Sequence, residues 1–533
     1  MYCIKRWLPI SLLGLCTVGC TPGGIQKPKV AAHEVNLYMQ ADLISLDPRI
    51  GFDRRSIQVI RELFEGLVRI GKDGKPEPAL AKSISISDDQ KVYTFRLRPS
   101  RWSNGLDVTA DDFIWAWKSL LSRSVSSTGS YALFVIKNAR KAHKDECPID
   151  EVGLRALDPY TLEVTLEHPA PYFLEFLTLP IYSPICRAVA EKNPNWAGEV
   201  SPGYVCNGPY VLKDRKLKSS LTLEKNPLYW NPDGARSEKL RFAIVEDPQT
   251  AYNMFCEQSL DWYGDTCGTM SLEMVYDLNQ KDSLIKKESG GAYWLPCRTT
   301  LPHLASPKIR KALACAINRE EICEKLLQGG ESPSYSMVHH TMSQLGKHTF
   351  EFDPVRARKL MDEGMAELGY TRETYPPIVI SHFSDPTIRS IVATLQHQME
   401  TNLGIKVVQE SVDWGTFMKK LSTGDYQLLS LMWFTWYQDP TYNLEFCKYR
   451  NSGLNGTGWE NPEYIRLLDR ADSSVDPESR SAYLRRAEEL VMEEVPVIPV
   501  FYHTFKYTKA PSLSGEALSP SGQVEWKWLQ KEV

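Results

Sequence analysis

Residues 102–118 read Trp-Ser-Asn-Gly-Leu-Asp-Val-Thr-Ala-Asp-Asp-Phe-Ile-Trp-Ala-Trp-Lys, and no other stretch constrains the local fold as tightly. Asn104-Gly105 is a turn dipeptide, because glycine tolerates positive φ and asparagine bonds its own backbone. Thr109 suits an N-cap, and Asp112 can reach back to it as in a capping box. Asp111 and Asp112 also sit at the positive end of the helix dipole. Phe113, Trp117 and Leu120 then recur at helical spacing, so the helix lays an aromatic face on a core. As physics, the stretch is a tight turn feeding a well-capped amphipathic helix.

The rest of the chain alternates between two periodicities. Tyr93–Arg98, Leu162–Leu166 and Leu221–Glu224 alternate apolar and polar residues and are predicted strands. Val35–Leu46, Pro377–Ser381, Ile405–Val408 and Val495–Tyr502 add apolar strands. Ser56–Leu67, Ser306–Leu327, Asp353–Leu368 and Pro386–Leu403 have helical spacing. Asp353 caps its helix with Pro354 in the first turn, and Gly404 stops the last one. Strands alternating with helices predict an α/β architecture. At 533 residues the chain is too long for one core, so two or three domains are expected. A net charge of −4 with no basic run argues against nucleic acid as a partner. Twenty-five Tyr, 17 Phe and 14 Trp are a surplus that suits a protein gripping organic ligands.

The first residues are a targeting segment. Lys5 and Arg6 precede an apolar run from Trp7 to Val18, shorter than the roughly 18 residues that span a bilayer. Gly19-Cys20 and the polar Thr21-Pro22-Gly23-Gly24 follow, and the whole resembles a bacterial lipoprotein signal in which Cys20 becomes the lipidated first residue. Thr17 departs from that pattern, which usually has Leu there. Of 12 cysteines, Cys3 and Cys16 lie in the signal and Cys20 at the anchor. The odd number downstream leaves at least one thiol unpaired or bonded to another molecule. Cys256 and Cys267 are spaced to close a short loop.

Trp102-Ser-Asn-Gly-x-x-Val-Thr-Ala-x-Asp-Phe113 is one of a series of strings in a fixed order. Leu63-Phe-Glu-Gly-Leu67 precedes it. Leu157-Asp-Pro-Tyr-Thr-Leu162, Ala170-Pro-Tyr-Phe173, Cys206-Asn-Gly-Pro-Tyr-Val-Leu212 and Asn226-Pro-Leu-Tyr-Trp230 follow. Lys308-Ile-Arg-Lys-Ala-Leu313 with Ala316-Ile-Asn-Arg319, Asp413-Trp-Gly-Thr-Phe417, Trp433–Thr441 and Val497-Ile-Pro-Val-Phe-Tyr502 complete it. Together they resemble the bacterial extracellular solute-binding proteins of the peptide and nickel family, and within it the oligopeptide-binding proteins of ABC importers.

That resemblance implies a periplasmic binding protein-like two-lobed clamp with an extra inserted domain, three domains with mixed sheets in all. Residues 1–19 would be the signal peptide and 20–34 a lipidated tether. Residues 35–64, 204–291 and 503–533 would form domain I, 65–203 the inserted domain II, and 292–502 domain III. It also implies an oligopeptide or peptide-like ligand, ABC permease subunits in the inner membrane as partners, a lipid-anchored place in the periplasm or cell envelope, a monomer, no cofactor and no catalysis.

The resemblance carries over to particular residues. Trp433-Phe434-Thr435-Trp436-Tyr437-Gln438-Asp439-Pro440-Thr441 matches the family's ligand-lining strand and turn. Trp433 and Trp414 match aromatic residues that line side-chain pockets, and Phe134 falls where relatives place a Tyr beside the peptide. Peptide-binding relatives hold the α-ammonium with an Asp three residues after the matched Trp; here that position is Trp436. Asp439 matches a different acid, and Ser430 replaces an upstream Arg, so an opposite pair of charges is missing together. A buried ammonium without a carboxylate is costly. Either Asp439, Asp53 or Glu410 supplies the charge, or the ligand has no free α-amino group there. An aromatic cage of Trp433, Trp436 and Tyr437 would alternatively face a cation or a sugar-like ring. This widens the ligand class to modified peptides such as cell-wall muropeptides, or to a non-peptide solute.

The chain has no Gly-x-Ser-x-Gly elbow, no His-Glu-x-x-His helix and no phosphate loop, which leaves a peptidase or other hydrolase on the same fold as the lesser alternative. His339-His340 is a pair of metal-ligand residues, but neighbours in sequence do not share a helix face and no third ligand stands at a helpful spacing. No metal site is expected.

Overall fold

Two long strands run through both halves of the molecule. Ile285–Pro296 and Val497–Lys509 pair antiparallel over most of their length, from Ile285 opposite Tyr507 to Pro296 opposite Val497. The end where Ile285 faces Tyr507 packs into one hydrophobic core, and the end where Leu295 faces Ile498 packs into another. The computed structural model describes residues 33–532 other than 52, 123, 124, 126, 128, 344, 346–349 and 451–454. Cys20, the 1–19 leader and nearly all of the tether lie outside the described residues.

The first core gathers Val35, Leu63, Phe113, Trp117, Trp262, Tyr507 and Trp526. Around it lie two sheets. One runs Glu34–Met39, Lys239–Ile244, Ser220–Lys225, Tyr210–Lys216, with only its first pair parallel. The other is antiparallel and runs Ala81–Ile86, Val92–Leu97, Thr161–Thr165, Leu154–Asp158. Val92–Leu97 turns Tyr93, Phe95 and Leu97 inward, as its alternation predicts. The helix Ala110–Leu121 buries Phe113, Trp117 and Leu120, and Asp112 accepts the Thr109 backbone N–H at 3.0 Å and the Trp102 indole N–H at 3.2 Å. Gly208 of the Asn-Gly-Pro-Tyr run is held against Leu63, where a Cβ would meet the Leu63 carbonyl carbon at 2.5 Å. Asn207 bonds both the N–H and the carbonyl of Glu65, so this run joins the returning strand to the end of the helix Arg54–Leu63.

The second core holds Tyr293, Trp294, Leu313, Ile380, Leu395 and Val500. Its sheet is parallel, in the order Val407–Val412, Ile378–Phe383, Leu428–Leu429. The helices Pro354–Leu368 and Pro386–Leu403 begin at their Asp caps and end at Gly369 and Gly404, both with positive φ. The stretch 306–327 is not one helix. Pro307–Cys315 stops, and Asn318 caps a fresh start by accepting the Glu321 N–H. Arg319 explains the break: its buried guanidinium serves the carbonyls of Ala314, Ile317, Phe350 and Pro499. Cys256 and Cys267 are not bonded; Cys256 is exposed and Cys267 is buried, and all nine described cysteines are free.

Mixed sheets, flanking helices and two cores make an α/β two-lobed clamp. The crossing strands join the lobes at an irregularity. Pairing is broken between Glu288 opposite Thr504 and Ala292 opposite Tyr502. Gly290 and Gly291 fill the break, where a Cβ on either would collide with Thr435 or Phe434. Extra residues on one strand bend it and loosen its ladder, which is what a hinge requires.

Candidate functional site

Leu431–Trp433 pairs with Ala292–Trp294 and forms the outer edge of the crossing sheet, with no strand beyond it among the described residues. Trp433 stacks on Trp294, ring centroids 5.7 Å apart, and meets the edge of Phe446 and the ring of Tyr442. Its indole N–H is buried with no acceptor among the described residues.

Beyond Trp433 the chain leaves the second core and crosses to the first. Leu431, Leu444 and Phe446 belong to the second core, whereas Tyr437 is buried in the first and Trp436 and Tyr442 pack against it. Tyr437 stacks on Tyr172 at 4.5 Å and meets Phe176 edge-on at 4.6 Å. The Gln438 N–H donates to Glu175 Oε2 at 2.6 Å. Burial pushes the Glu175 carboxyl above its ordinary pKa and the nearby Asp439 charge adds to this, with the Gln438 N–H working the other way. On the hinge side, Phe434 stacks on Phe505 and lies beneath the Arg54 guanidinium, 4.6 Å from its ring centroid, with His503 edge-on. Burial first, then the charges of Lys506 and Arg54, holds His503 far below the ordinary histidine pKa, so it stands there as a neutral ring.

The carboxylates weighed from the sequence have different situations. Asp439 caps the helix Pro440–Leu444 through the Thr441 N–H and grips Arg480 with both oxygens at 2.8 and 2.9 Å. Its charge is therefore neutralised inside the second lobe. Glu410 accepts from the Ser381 hydroxyl at 2.5 Å and lies 3.1 Å from Lys420. Burial raises its pKa, but these two bonds outweigh it and the net shift is downward. Asp53 caps the helix Arg54–Leu63 with one oxygen, while its buried Oδ2 has no partner among the described residues.

The other sequence candidates are scattered. Ser430 is buried and its hydroxyl bonds Tyr293. Thr435 is buried beside Gly290 and accepts from the Gln438 amide at 3.4 Å. Trp414 is 59% exposed at the first turn of its helix, against Phe383 and Phe417. Phe134 sits on the first lobe, against His143 and the Arg140 guanidinium. Thus Trp433, Phe434, Thr435, Trp436, Tyr437 and Asp439 share one cleft-crossing segment, while Trp414 and Phe134 have their described contacts elsewhere. Sequence reasoning missed Tyr172, Glu175, Phe176, Tyr131, Arg54 and Arg480. Burial first, and the nearby Tyr131 second, raise the Tyr442 pKa well above its ordinary value. The aromatic run Ala170-Pro-Tyr-Phe173 was the available signal for Tyr172 and its neighbours.

A segment that leaves one lobe to pack into the other is a latch whose contacts exist only when the lobes meet. Comparison with known proteins gives the same architecture. The sequence model of the bacterial extracellular solute-binding proteins, family 5 middle region, matches residues 75–453. The oligopeptide-binding protein OppA of Bacillus subtilis (strain 168) is 32% identical over 98% of this chain and 99% of its own. The solved structure of the Escherichia coli murein tripeptide-binding protein MppA superposes with a TM-score of 0.79 at 25% identity, covering 93% of this chain and 98% of that one. An oligopeptide-binding protein from Borrelia burgdorferi superposes with a TM-score of 0.81 at 27% identity, covering 94% and 100%. On that match in sequence and architecture, the chain belongs to the bacterial extracellular solute-binding proteins of family 5.

Proposed function

We propose that this protein captures oligopeptides between its lobes and delivers them to an ABC permease in the inner membrane, performing no chemistry itself. The observation that carries this reading is the edge strand Leu431–Trp433 and its continuation across the cleft. An unpaired strand edge offers main-chain hydrogen bonds to any extended peptide, whatever its side chains. The orphaned Trp433 indole N–H is a donor suited to a peptide carbonyl. Closure is then a population shift, favoured by contacts the ligand makes with both lobes. Trp414 and Phe134 are proposed to line outlying side-chain pockets. Residues 35–64, 204–291 and 503–533 are assigned to domain I, 65–203 to domain II and 292–502 to domain III. Residues 1–19 are assigned as a cleaved leader, with a lipid on Cys20 holding a monomeric protein at the membrane. No helix of the described residues is long and apolar enough to cross a membrane.

A second reading concerns the ligand's amino end. Trp436 packs against the first-lobe core where peptide-binding relatives are expected to place an Asp, and Asp439 is already paired with Arg480. That arrangement favours peptides whose α-amine is blocked or absent from this subsite, cell-wall muropeptides among them. Calorimetry with matched free and N-acetylated peptides tests both readings. Binding of both forms at similar affinity supports the two together. Loss of binding on acetylation overturns the second alone. Failure of every peptide, or release of cleaved products, overturns the first.

A further inference from the structure

Glu288 is the last residue of the crossing strand before its pairing breaks at Ser289-Gly290-Gly291. Directly over it lies a loop of the second lobe that carries His339 and His340. The loop is fixed to the opposite crossing strand, since the Tyr502 hydroxyl donates to the Val338 carbonyl at 2.9 Å. Both imidazoles rest on the Tyr502 ring, 4.6 and 5.1 Å between centroids. His340 Nε2 is 2.7 Å from Glu288 Oε1, and His339 Nε2 is 3.8 Å from the same oxygen. The donor atoms of all three residues lie within 4.8 Å of one another.

His339 distinguishes this cluster from an ordinary surface ion pair. Its side chain is buried, yet Nε2 has no hydrogen-bond partner among the described residues. A buried polar atom without a partner calls for one. The other nitrogen, Nδ1, is 2.9 Å from the Thr341 hydroxyl and accepts the Thr341 backbone N–H at 3.4 Å. Metal binding takes the tautomer in which Nδ1–H donates to the Thr341 hydroxyl, leaving the Nε2 lone pair beside Glu288 and His340. A hydrogen bond from the far nitrogen that fixes tautomer and ring orientation is the usual support of a metal-binding histidine.

We propose that Glu288, His339 and His340 form a site for a divalent transition metal of the zinc class. Two imidazoles and one carboxylate are a donor set that suits Zn²⁺ and gives too few oxygens for Ca²⁺ or Mg²⁺. Bonds of about 2.0–2.2 Å to tetrahedral zinc place ligand atoms roughly 3.3–3.5 Å apart. The present separations need only side-chain adjustment of Glu288 and His340, both about half exposed. The exposed side leaves a fourth position for water. A bound ion fastens the second-lobe loop to the crossing strand at the place where that strand bends.

The test uses the full chain, stripped with chelator and titrated with Zn²⁺ by calorimetry and with Co²⁺ by visible absorption. One equivalent of metal is expected, with ligand-field bands of a four- or five-coordinate nitrogen and oxygen site. His340→Ala should weaken zinc binding by more than about 100-fold, and Thr341→Val, which touches no metal, by about 10-fold. Glu288→Gln keeps the shape of the strand and should also lose the site. Unchanged circular dichroism and thermal midpoint in the metal-free variants separate loss of the site from loss of the fold. Absence of zinc binding in the parent protein overturns the proposal, as does binding that survives His340→Ala. A thiolate charge-transfer band, marking one of the free cysteines as the ligand, overturns it too.

Discussion

The segments 102–121 and 431–444 are built from the same parts, and they spend them differently. Each leads into a helix with an Asp at its start, in the first turn in one and at the N-cap in the other, and with indole or phenol rings on the buried side. In the first, every named partner is close in the chain or in the same lobe. Asp112 serves Thr109 and Trp102, and the Trp117 indole donates to the Tyr182 carbonyl at 3.0 Å. In the second, the partners come from both lobes. Arg480 neutralises Asp439, Tyr172 and Phe176 take Tyr437, and Glu175 receives the Gln438 N–H. The first segment is therefore stable whether the clamp is open or closed. In the second, the Asp439–Arg480 pair stays within one lobe, and only the contacts of Tyr437 and Gln438 with Tyr172, Phe176 and Glu175 join the two. A scaffold and a latch can share local physics and differ in where their partners lie.

That contrast breaks if a scaffold residue controls affinity or a latch residue controls only folding. Trp117→Ala should produce the largest loss, about 3–5 kcal/mol of stability in denaturant titration. Peptide affinity of the folded fraction should stay unchanged. Arg480→Ala strands the Asp439 charge at the cleft and should cost about 3 kcal/mol. Unlike Trp117→Ala, it should also lower peptide affinity, and Arg480→Lys should restore only part of either loss. Tyr437→Ala removes ring contacts that open lobes do not make, each worth about 0.5–1.5 kcal/mol. Calorimetry should show roughly tenfold weaker peptide binding, 1.4 kcal/mol being a factor of ten. The thermal midpoint without ligand should barely move.

The smallest effect is expected from pH. Burial raises the Glu175 pKa where Gln438 packs on it, so a state with the lobes apart is expected to hold that proton less firmly. Its contribution to closure is therefore fully present below the ordinary glutamate pKa and is lost as pH rises through the raised value. Peptide affinity should decline slightly across that window. Glu175→Gln should remove the decline, because an amide carbonyl accepts the Gln438 N–H at every pH.

Much of the fold is legible in the sequence because its signals are local. Asp353-Pro354 starts a helix and Gly404 ends one through bonds and dihedrals a few residues long. The break after Cys315 is not legible, because Arg319 draws its acceptors from Phe350 and Pro499. The aromatic run Trp433–Tyr437 stands out in the sequence, but which lobe each ring enters does not. Asp439 reads as a free carboxylate until Arg480 folds back onto it. His339-His340 reads as an isolated pair for the same reason: Glu288 reaches it only through the crossing strand. Charges and donors that meet across the fold leave no periodicity behind.

The latch is proposed to close over a peptide. Native mass spectrometry of the full chain as purified, with ejection and sequencing of whatever is bound, reads the occupant itself. One-to-one complexes with peptides are expected, with recapture of added peptide after the protein is emptied. A bound non-peptide solute, or an emptied protein that takes up no peptide, would contradict it.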